Sequence, residues 1–165
     1  MKKQKGFSLI ELLIVVAIIL IIAAIAIPNL MRSRMAANES SAVGSVRTIN
    51  TAEVTYNTQY PDVGFALNLA NLGGTAAACA TATGATSTSA CLIDSLLAGG
   101  SKSGYTFAAA GTILGGGTVI NQYTVTATPQ GTGTTGQRGF FSDQSGVIRY
   151  SLDGTAPSTA SSPLQ

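Results

Sequence analysis

One acidic residue, Glu11, interrupts the start of an apolar run that continues without a charge from Leu12 to Ile27. An α-helix rises about 1.5 Å per residue, so this run spans only about 24 Å of a bilayer core about 30 Å thick. Including residues 7–10 extends the segment to about 30 Å, but it places the Glu11 carboxylate in the hydrocarbon. That placement costs roughly 2.5–3.5 kcal/mol on insertion scales. We therefore expect Glu11 to serve a function other than anchoring.

The other residue types exclude most catalytic and metal chemistry. The chain has no histidine, which excludes the common catalytic triads and most transition-metal sites. The glycine runs lack the lysine or helix start that a phosphate-binding loop requires. Asp143 and Asp153 are candidates for a calcium site, but neither brings a run of oxygen ligands, and turn formation is the favoured interpretation. We predict no cofactor and no enzymatic activity.

The formal charge of +2 comes from the N-terminal end of the chain. Residues 1–6 contain three lysines, which leaves six basic and seven acidic residues, or a net charge of −1, in the remainder. No basic patch is visible, so nucleic-acid binding receives little support. Only 10% of the residues are charged, and this low charge suits a subunit that packs against copies of itself.

A long helix must position these residues. Beyond Pro28, apolar residues recur at mostly three- and four-residue steps until Pro61-Asp62 stops the pattern. The stripe, interpreted as core, consists of Met31, Met35, Ala42, Val46, Ile49, Ala52, Tyr56 and Tyr60, with Arg47, Glu53 and Asn57 between its members. The sequon Asn38-Glu-Ser40 lies on this helix, where we treat it as coincidence.

The second half of the sequence predicts an antiparallel sheet. A helical turn is expected at Leu92–Leu97, ended by Gly99-Gly100. The β-branched and aromatic alternation then predicts roughly four strands, at Tyr105–Phe107, Val119–Thr128, Arg138–Ser142 and Val147–Tyr150. Packed on the helix stripe, these strands give an α+β fold.

The N-terminal pattern resembles that of type IV prepilins and type II secretion pseudopilins. The matching residues are Lys-Gly6, then Phe7-Ser-Leu-Ile-Glu11-Leu-Leu-Ile-Val-Val-Ala, and later Ala-Ile-Ala-Ile-Pro28. The resemblance implies that a membrane-embedded prepilin peptidase cuts after Gly6 and methylates the new amino terminus at Phe7. It also implies that Glu11 pairs with the terminal amine of a neighbouring subunit, and that Pro28 kinks the helix. The basic leader would stay in the cytoplasm, as the positive-inside rule expects.

Many members of this family carry glycine where this chain has Leu20. In them the helix between that position and the proline is often unwound in assembled filaments. Without the glycine we expect a stiffer stretch here.

Two other interpretations of the N-terminal segment remain. It could be an uncleaved anchor, or a secretory signal cut after the small-x-small sequence Ala24-Ile25-Ala26. The long apolar run, the position of Glu11 and Pro28 just beyond the cut argue against the signal. A plain anchor would not require Gly6, Phe7 and Glu11 together.

Cys79 and Cys91 are the only cysteines. In a domain delivered outside the cytoplasmic membrane, two cysteines this close predict a disulfide, worth about 3 kcal/mol in the chain-entropy model. Free thiols or metal ligation are the alternatives, and no third or fourth soft ligand is nearby.

The resemblance implies a type IV pilin-like fold and a structural subunit of a type IV pilus with adhesion- or motility-type functions. The subunit would be a single-pass inner-membrane prepilin with a cytoplasmic N-terminus, and then part of an extracellular filament. Its partners would be copies of itself, prepilin peptidase, the inner-membrane assembly platform and the membrane. The alternatives are a type II secretion pseudopilin and a membrane-tethered binding domain that does not polymerise. The predicted organisation is a leader (1–6), a transmembrane and assembly helix (7–28), an amphipathic helix (29–60), a connecting loop with the disulfide (61–103), an antiparallel sheet (104–153) and a flexible tail (154–165).

Overall fold

The computed structural model describes residues 7–75, 79 and 84–164. Its longest element is helix α1, Leu9–Gln59, which stays helical through Pro28. The chain divides into two compact units, Met1–Arg34 and Met35–Gln165, and α1 contributes to both. Each unit is described by itself below. The helix ends where expected, because Pro61 cannot continue it and disfavours the helical conformation in the residue before it.

The second unit contains an antiparallel sheet of five strands rather than four. The strands are β1 (Ser101–Lys102), β2 (Tyr105–Thr112), β3 (Gln122–Pro129), β4 (Gly139–Asp143) and β5 (Arg149–Ser151), and they lie in sequence order across the sheet. The additional strand is β1, which has only two residues and pairs with the start of β2. A strand this short carries no alternation that sequence reasoning could detect. The expected α+β class is confirmed.

Strand boundaries differ from the prediction mainly at the hairpin of β2 and β3. β2 continues past Phe107 to Thr112, although its second half is Ala- and Gly-rich, because it pairs with β3 over its whole length. Val119 lies outside β3, and Ile120 instead forms an isolated bridge with Gly64. Cross-strand pairing therefore decided this boundary against local propensity.

Two short helices whose bounds lie within the described residues follow α1 and precede the sheet in the chain. Helix α2, Leu69–Leu72, begins at the N-cap Asn68, and helix α3, Ser95–Ala98, begins at the N-cap Asp94. Each cap side chain accepts a hydrogen bond from a backbone N–H in the first turn, which satisfies a donor that the helix leaves unpaired. The predicted helical turn thus starts later than Leu92 and ends at Gly99 as expected.

The core lies between the second half of α1 and one face of the sheet. From α1 it contains Ala42, Val46, Ile49, Ala52 and Tyr56, and from the strands it contains Tyr105, Phe107, Tyr123, Val125, Ala127 and Phe140. The buried residues of β3 alternate with partly exposed ones, as one covered face of a sheet requires. The predicted stripe is confirmed for these α1 residues. It is wrong for Met31, which is exposed because it lies in the first unit, outside this core.

The stripe also contains two acids that sequence reasoning placed elsewhere or passed over. Positions 35, 39, 42, 46, 49, 53, 56 and 60 form an uninterrupted heptad pattern, and Glu39 and Glu53 occupy two of them. Both side chains are buried, and Glu53 is completely inaccessible. Placing Glu53 between the core positions was therefore wrong. The spacing itself, read without regard to residue type, would have located both acids.

Residues 162–164 lie against β5. Tyr150 N–H donates to Ser162 C=O (3.0 Å), and Leu164 N–H donates to Ile148 C=O (2.7 Å). The Leu164 side chain packs on the core. The sequence predicts a flexible tail from Gly154, whereas in the structure these last residues continue the hydrogen bonding of the sheet edge. A Ser/Thr/Pro-rich composition gave no sign of this pairing.

Candidate functional site

The first unit presents an apolar helical surface. From Phe7 to Ile22 every side chain is exposed, and the exposed fraction is 81% at Phe7 and 63% at Leu20. Among the described residues, α1 is the one helix long and apolar enough to cross a membrane by length and composition. An apolar surface of this size is far larger than monomeric soluble proteins usually expose, and such surfaces mark sites of membrane or protein contact.

Glu11 lies in the first turn of α1, where its carboxylate has a local partner. Ser8 N–H donates to Glu11 Oε2 at 2.9 Å. Ser8-Leu-Ile-Glu11 has the spacing of a capping box, in which an acid at the third helical position satisfies the N–H of the capping residue. The negative charge also interacts favourably with the positive end of the helix dipole. This local role could have been found from the sequence, but the resemblance drew attention to an intermolecular one.

The remaining predicted positions of this segment are only partly covered by the structure. Gly6 lies outside the described residues, and Phe7 is highly exposed. Pro28 lies inside α1, whose helical conformation extends on both sides of it. The helix is also continuous through Leu20, and the stiffer stretch expected here in an assembled filament stays a prediction. Cleavage after Gly6, methylation of Phe7 and a kink at Pro28 stay predictions.

Cys79 and Cys91 form a disulfide, with their Cα atoms 5.7 Å apart. Gly74 lies against it, and a Cβ at that position would be 2.5 Å from Cys79 Sγ. The segment next to Cys91 is fixed to α2 and its cap by Ala90 N–H donating to Asn71 C=O (2.8 Å) and Cys91 N–H to Gly73 C=O (2.9 Å). The disulfide thus closes a loop whose Cys91 end is already hydrogen-bonded to α2 and to its C-cap, Gly73.

The candidate calcium ligands and the sequon have ordinary structural partners. Asp143 Oδ1 accepts from Ser145 N–H (2.9 Å), and Asp153 Oδ1 accepts from Thr155 N–H (3.1 Å). The Thr155 hydroxyl and N–H lower the pKa of Asp153. Within the described ranges no three His, Cys, Asp or Glu residues cluster as metal ligands would. Asn38 Nδ2 donates to Thr135 C=O at 2.8 Å, so the sequon nitrogen is engaged within the fold.

Glu39 joins α1 to the loop before β4. Its Oε1 accepts from the N–H groups of Gln137 (2.8 Å) and Arg138 (3.1 Å), and its Oε2 accepts from Arg138 Nε (2.8 Å). The Arg138 guanidinium also lies 5.8 Å from the ring centres of Phe140 and Tyr150. Burial alone would raise the pKa of Glu39, but these hydrogen bonds outweigh it and hold the pKa below its ordinary value.

Comparison with known proteins gives the N-terminal segment an identity. The family profile described as "Prokaryotic N-terminal methylation motif" matches residues 1–27. The chain carries this motif. The match includes Glu11 and the whole apolar run from Leu12 to Ile27, in agreement with the resemblance found in the sequence.

Curated relatives of two kinds are similar to part of this chain. "Type IV wide pilus major component PilA4" of Thermus thermophilus is 60% identical over 40 residues, which are 24% of this chain and 30% of that protein. "Type IV major pilin protein PilA" of Myxococcus xanthus is 44% identical over 54 residues, 33% of this chain and 24% of that protein. "Type II secretion system core protein G" of Escherichia coli is 36% identical over 62 residues, 36% of this chain and 43% of that protein. No solved structure matches significantly.

These matches cover less than half of each relative and about a third of this chain or less. Its homologues are therefore type IV pilins and type II secretion pseudopilins, and the similarity is limited in length.

Proposed function

We propose that this chain is a structural subunit of a type IV pilus filament with adhesion- or motility-type surface functions and no catalytic activity. The observation that supports this most strongly is the exposed apolar segment of the first unit, with its single acid, Glu11. Prepilin peptidase cuts between Gly6 and Phe7 and methylates Phe7. The helix then leaves the inner membrane, through the assembly platform, for a bundle formed with copies of the same chain.

The energetics of the exposed segment fit such a transfer. At about 25 cal/mol per Å² of apolar surface removed from water, burying a helix of this size contributes tens of kcal/mol. A monomer with this segment in water is thus strongly disfavoured. Measured against lipid the gain is far smaller, because hydrocarbon chains are as apolar as the neighbouring helices. The membrane can therefore hold a pool of subunits that enters and leaves the filament.

Glu11 steers docking in this proposal. Cleavage creates a charged amine at Phe7, and an isolated amine or carboxylate in a low-dielectric environment is costly. Pairing the Glu11 carboxylate of one subunit with the terminal amine of its neighbour offsets both costs. The Ser8 N–H that now bonds to Glu11 uses only one of its two carboxylate oxygens, so the other is available to an incoming subunit.

The second candidate is a pseudopilin of a type II secretion system. It is supported by the similarity to core protein G, which extends over 36% of this chain. The disulfide and the Thr- and Gly-rich insertions favour the pilin. A membrane-tethered binding domain that does not polymerise is the alternative from another class.

The test is intact-mass and N-terminal peptide mass spectrometry on filaments sheared from cells that produce the protein. We expect a chain that begins with N-methylated Phe7 in the sheared fraction. A processed chain found only in the envelope would overturn the pilus in favour of the pseudopilin. A chain that still carries residues 1–6 would overturn both filament proposals and leave the membrane-tethered domain.

A further inference from the structure

Glu53 is a completely buried carboxyl group with one hydrogen-bond partner. It occupies a core position of α1 between Ile49 and Tyr56 and has no accessible surface. Its Oε2 accepts from Ala66 N–H at 2.8 Å. Its Oε1 has no hydrogen-bond partner among the described residues. A buried carboxylate normally has several donors or a cation, so this environment suits the neutral acid better than the ion.

The groups around Glu53 supply no compensating positive charge. On α1 the titratable neighbour is Tyr56, itself close to Tyr60, and on β3 it is Tyr123, which also senses Asp143 at the end of β4. Burial raises the pKa of Tyr123 to about 12, with Glu53 and Asp143 adding to the effect. Burial raises the pKa of Tyr56 as well. Both phenols are thus neutral across the physiological range. No Lys or Arg in the described part of the chain acts on Glu53.

The protonation of Glu53 changes in the same range. Burial raises the pKa of its carboxyl to about 7, and the hydrogen bond from Ala66 offsets only part of the rise. Below neutral pH the group is an uncharged acid. Above neutral pH its burial would leave a negative charge with a single donor, and this is the more costly state.

The partner of Glu53 belongs to the loop that connects α1 with α2. This loop is bonded to the β2–β3 hairpin on both sides of Ala66, by Phe65 N–H donating to Ile120 C=O (2.9 Å) and by Gly111 N–H donating to Leu67 C=O (3.0 Å). Gly111 is required there, because a Cβ would lie 2.5 Å from Ala66 C=O. The bond between Glu53 and Ala66 therefore ties the loop and the hairpin to α1.

We propose that Glu53 is a proton-operated latch that holds residues 61–67 against α1 in acid and releases them as the medium becomes alkaline. On release, the carboxyl O–H bond breaks, the proton passes to water, and the carboxylate becomes hydrated as the loop moves away from the helix. The device acts within one subunit and does not depend on filament assembly.

The sign of the effect follows from linkage. In the unfolded chain Glu53 ionises near its ordinary pKa of 4.5, whereas in the folded chain it keeps its proton to about pH 7. Between these values the folded state binds more protons, so stability falls as pH rises and the loss is complete above pH 7. The unfolding equilibrium constant rises on the order of a hundredfold across this window because of Glu53.

The first test compares thermal and denaturant unfolding of the full chain in detergent micelles at pH 5 and pH 8, by circular dichroism. In Glu53→Gln the amide cannot ionise. We therefore expect the unfolding equilibrium constant of this variant to rise less between pH 5 and pH 8 than that of the wild type, by a factor on the order of a hundred. Glu39→Gln is the matched control, because the pKa of Glu39 is lowered and its titration falls below this window. Equal pH dependence in the wild type and Glu53→Gln would overturn the latch.

A second measurement keeps the proposal testable if Glu53→Gln does not fold. Hydrogen–deuterium exchange of the wild-type chain is followed at pH 5.5 and pH 8 and corrected for the intrinsic rates. We expect protection of the peptide covering residues 61–67 to fall at least tenfold at the higher pH, while protection of β3 is maintained. Unchanged protection in residues 61–67 would refute the release of the loop.

Discussion

Residues 9–34 and 35–59 belong to one helix, α1, yet the apolar side chains of the two segments have opposite environments. Ile18 in the first segment is 52% exposed, whereas Ile49 in the second has no exposed surface. The first segment contributes apolar surface that the described chain does not cover, and the second contributes the main core of the sheet-bearing unit. Hydrophobicity alone therefore does not distinguish an intramolecular core from an apolar surface that the chain leaves uncovered.

The acids of the two segments differ in the same way. Glu11 accepts one local N–H at the helix start, whereas Glu39 accepts three donors that include Arg138. Glu53 is buried with one donor, and no cation among the residues that the structure describes acts on it. Three carboxyl groups on one helix thus have three environments: an exposed helix start with one backbone donor, a nearly buried site with three donors that include a guanidinium, and full burial with one backbone donor.

The largest effect is expected from changing Glu11. We expect Glu11→Ala to reduce filaments in the sheared fraction at least tenfold, because the terminal amine of the neighbour loses its counter-charge. The unfolding temperature of the second unit should stay the same, since Glu11 lies outside it. Filament yield is measured by quantitative immunoblotting of the sheared fraction.

Glu11→Gln separates charge from capping. Its amide oxygen can still accept the Ser8 N–H, but it carries no charge. If pairing with an amine drives docking, the Gln variant loses filaments as the Ala variant does. Normal filaments in Glu11→Gln would show that the cap is sufficient, and the pairing would then be wrong.

The next largest effect separates the two segments directly. Ile49→Ala should lower the free energy of unfolding of the second unit by about 2–5 kcal/mol, because a buried aliphatic side chain is lost and a cavity remains. Ile18→Ala should change that free energy by less than about 0.5 kcal/mol, since its side chain is exposed in the first unit. Denaturant unfolding in micelles measures both. Equal losses would mean that the two segments of α1 are not distinct in the monomer.

A smaller effect is expected at Glu39. Glu39→Ala removes the acceptor of three hydrogen bonds and should cost about 1.5–3 kcal/mol. The exposed pair of Lys102 and Asp94 is the control, and Lys102→Ala should cost about 1 kcal/mol or less.

Because the folded pKa of Glu39 is lowered, its contribution to stability is complete above the ordinary value of 4.5 and is lost as pH falls below it. This sign is opposite to that of Glu53. Between pH 3 and pH 8, Glu39→Ala should therefore remove part of the wild-type loss of stability at the acid end, and Glu53→Gln should remove part of the loss at the alkaline end. Changes of slope at the same end in both variants would contradict the assignment of the two environments.

Sequence reasoning predicted the fold class, the extent of the long helix, most of its buried stripe and the disulfide. These features depend on local signals: an apolar run, a repeat of three and four residues, a proline stop and a single pair of cysteines. It missed β1, the full length of β2 and the pairing of the last residues with β5. Those elements have weak β propensity, and they are stabilised by cross-strand pairing, β1 with β2, β2 with β3, and the last described residues with β5.

In the candidate site, residue type and spacing are enough to identify the apolar segment, Glu11 and the motif around Gly6 and Phe7, because these signals are local to the first 27 residues. The fold places Arg138 beside Glu39, whereas no cation of the described residues lies beside Glu53, and neither could be inferred from local sequence. Both acids occupy the same heptad stripe two heptads apart, so local pattern cannot distinguish them. What differs is the chain that packs opposite each one, the loop before β4 against Glu39 and the loop after α1 against Glu53. The charge of a buried carboxyl is set by those neighbours, and long-range folding alone brings them there.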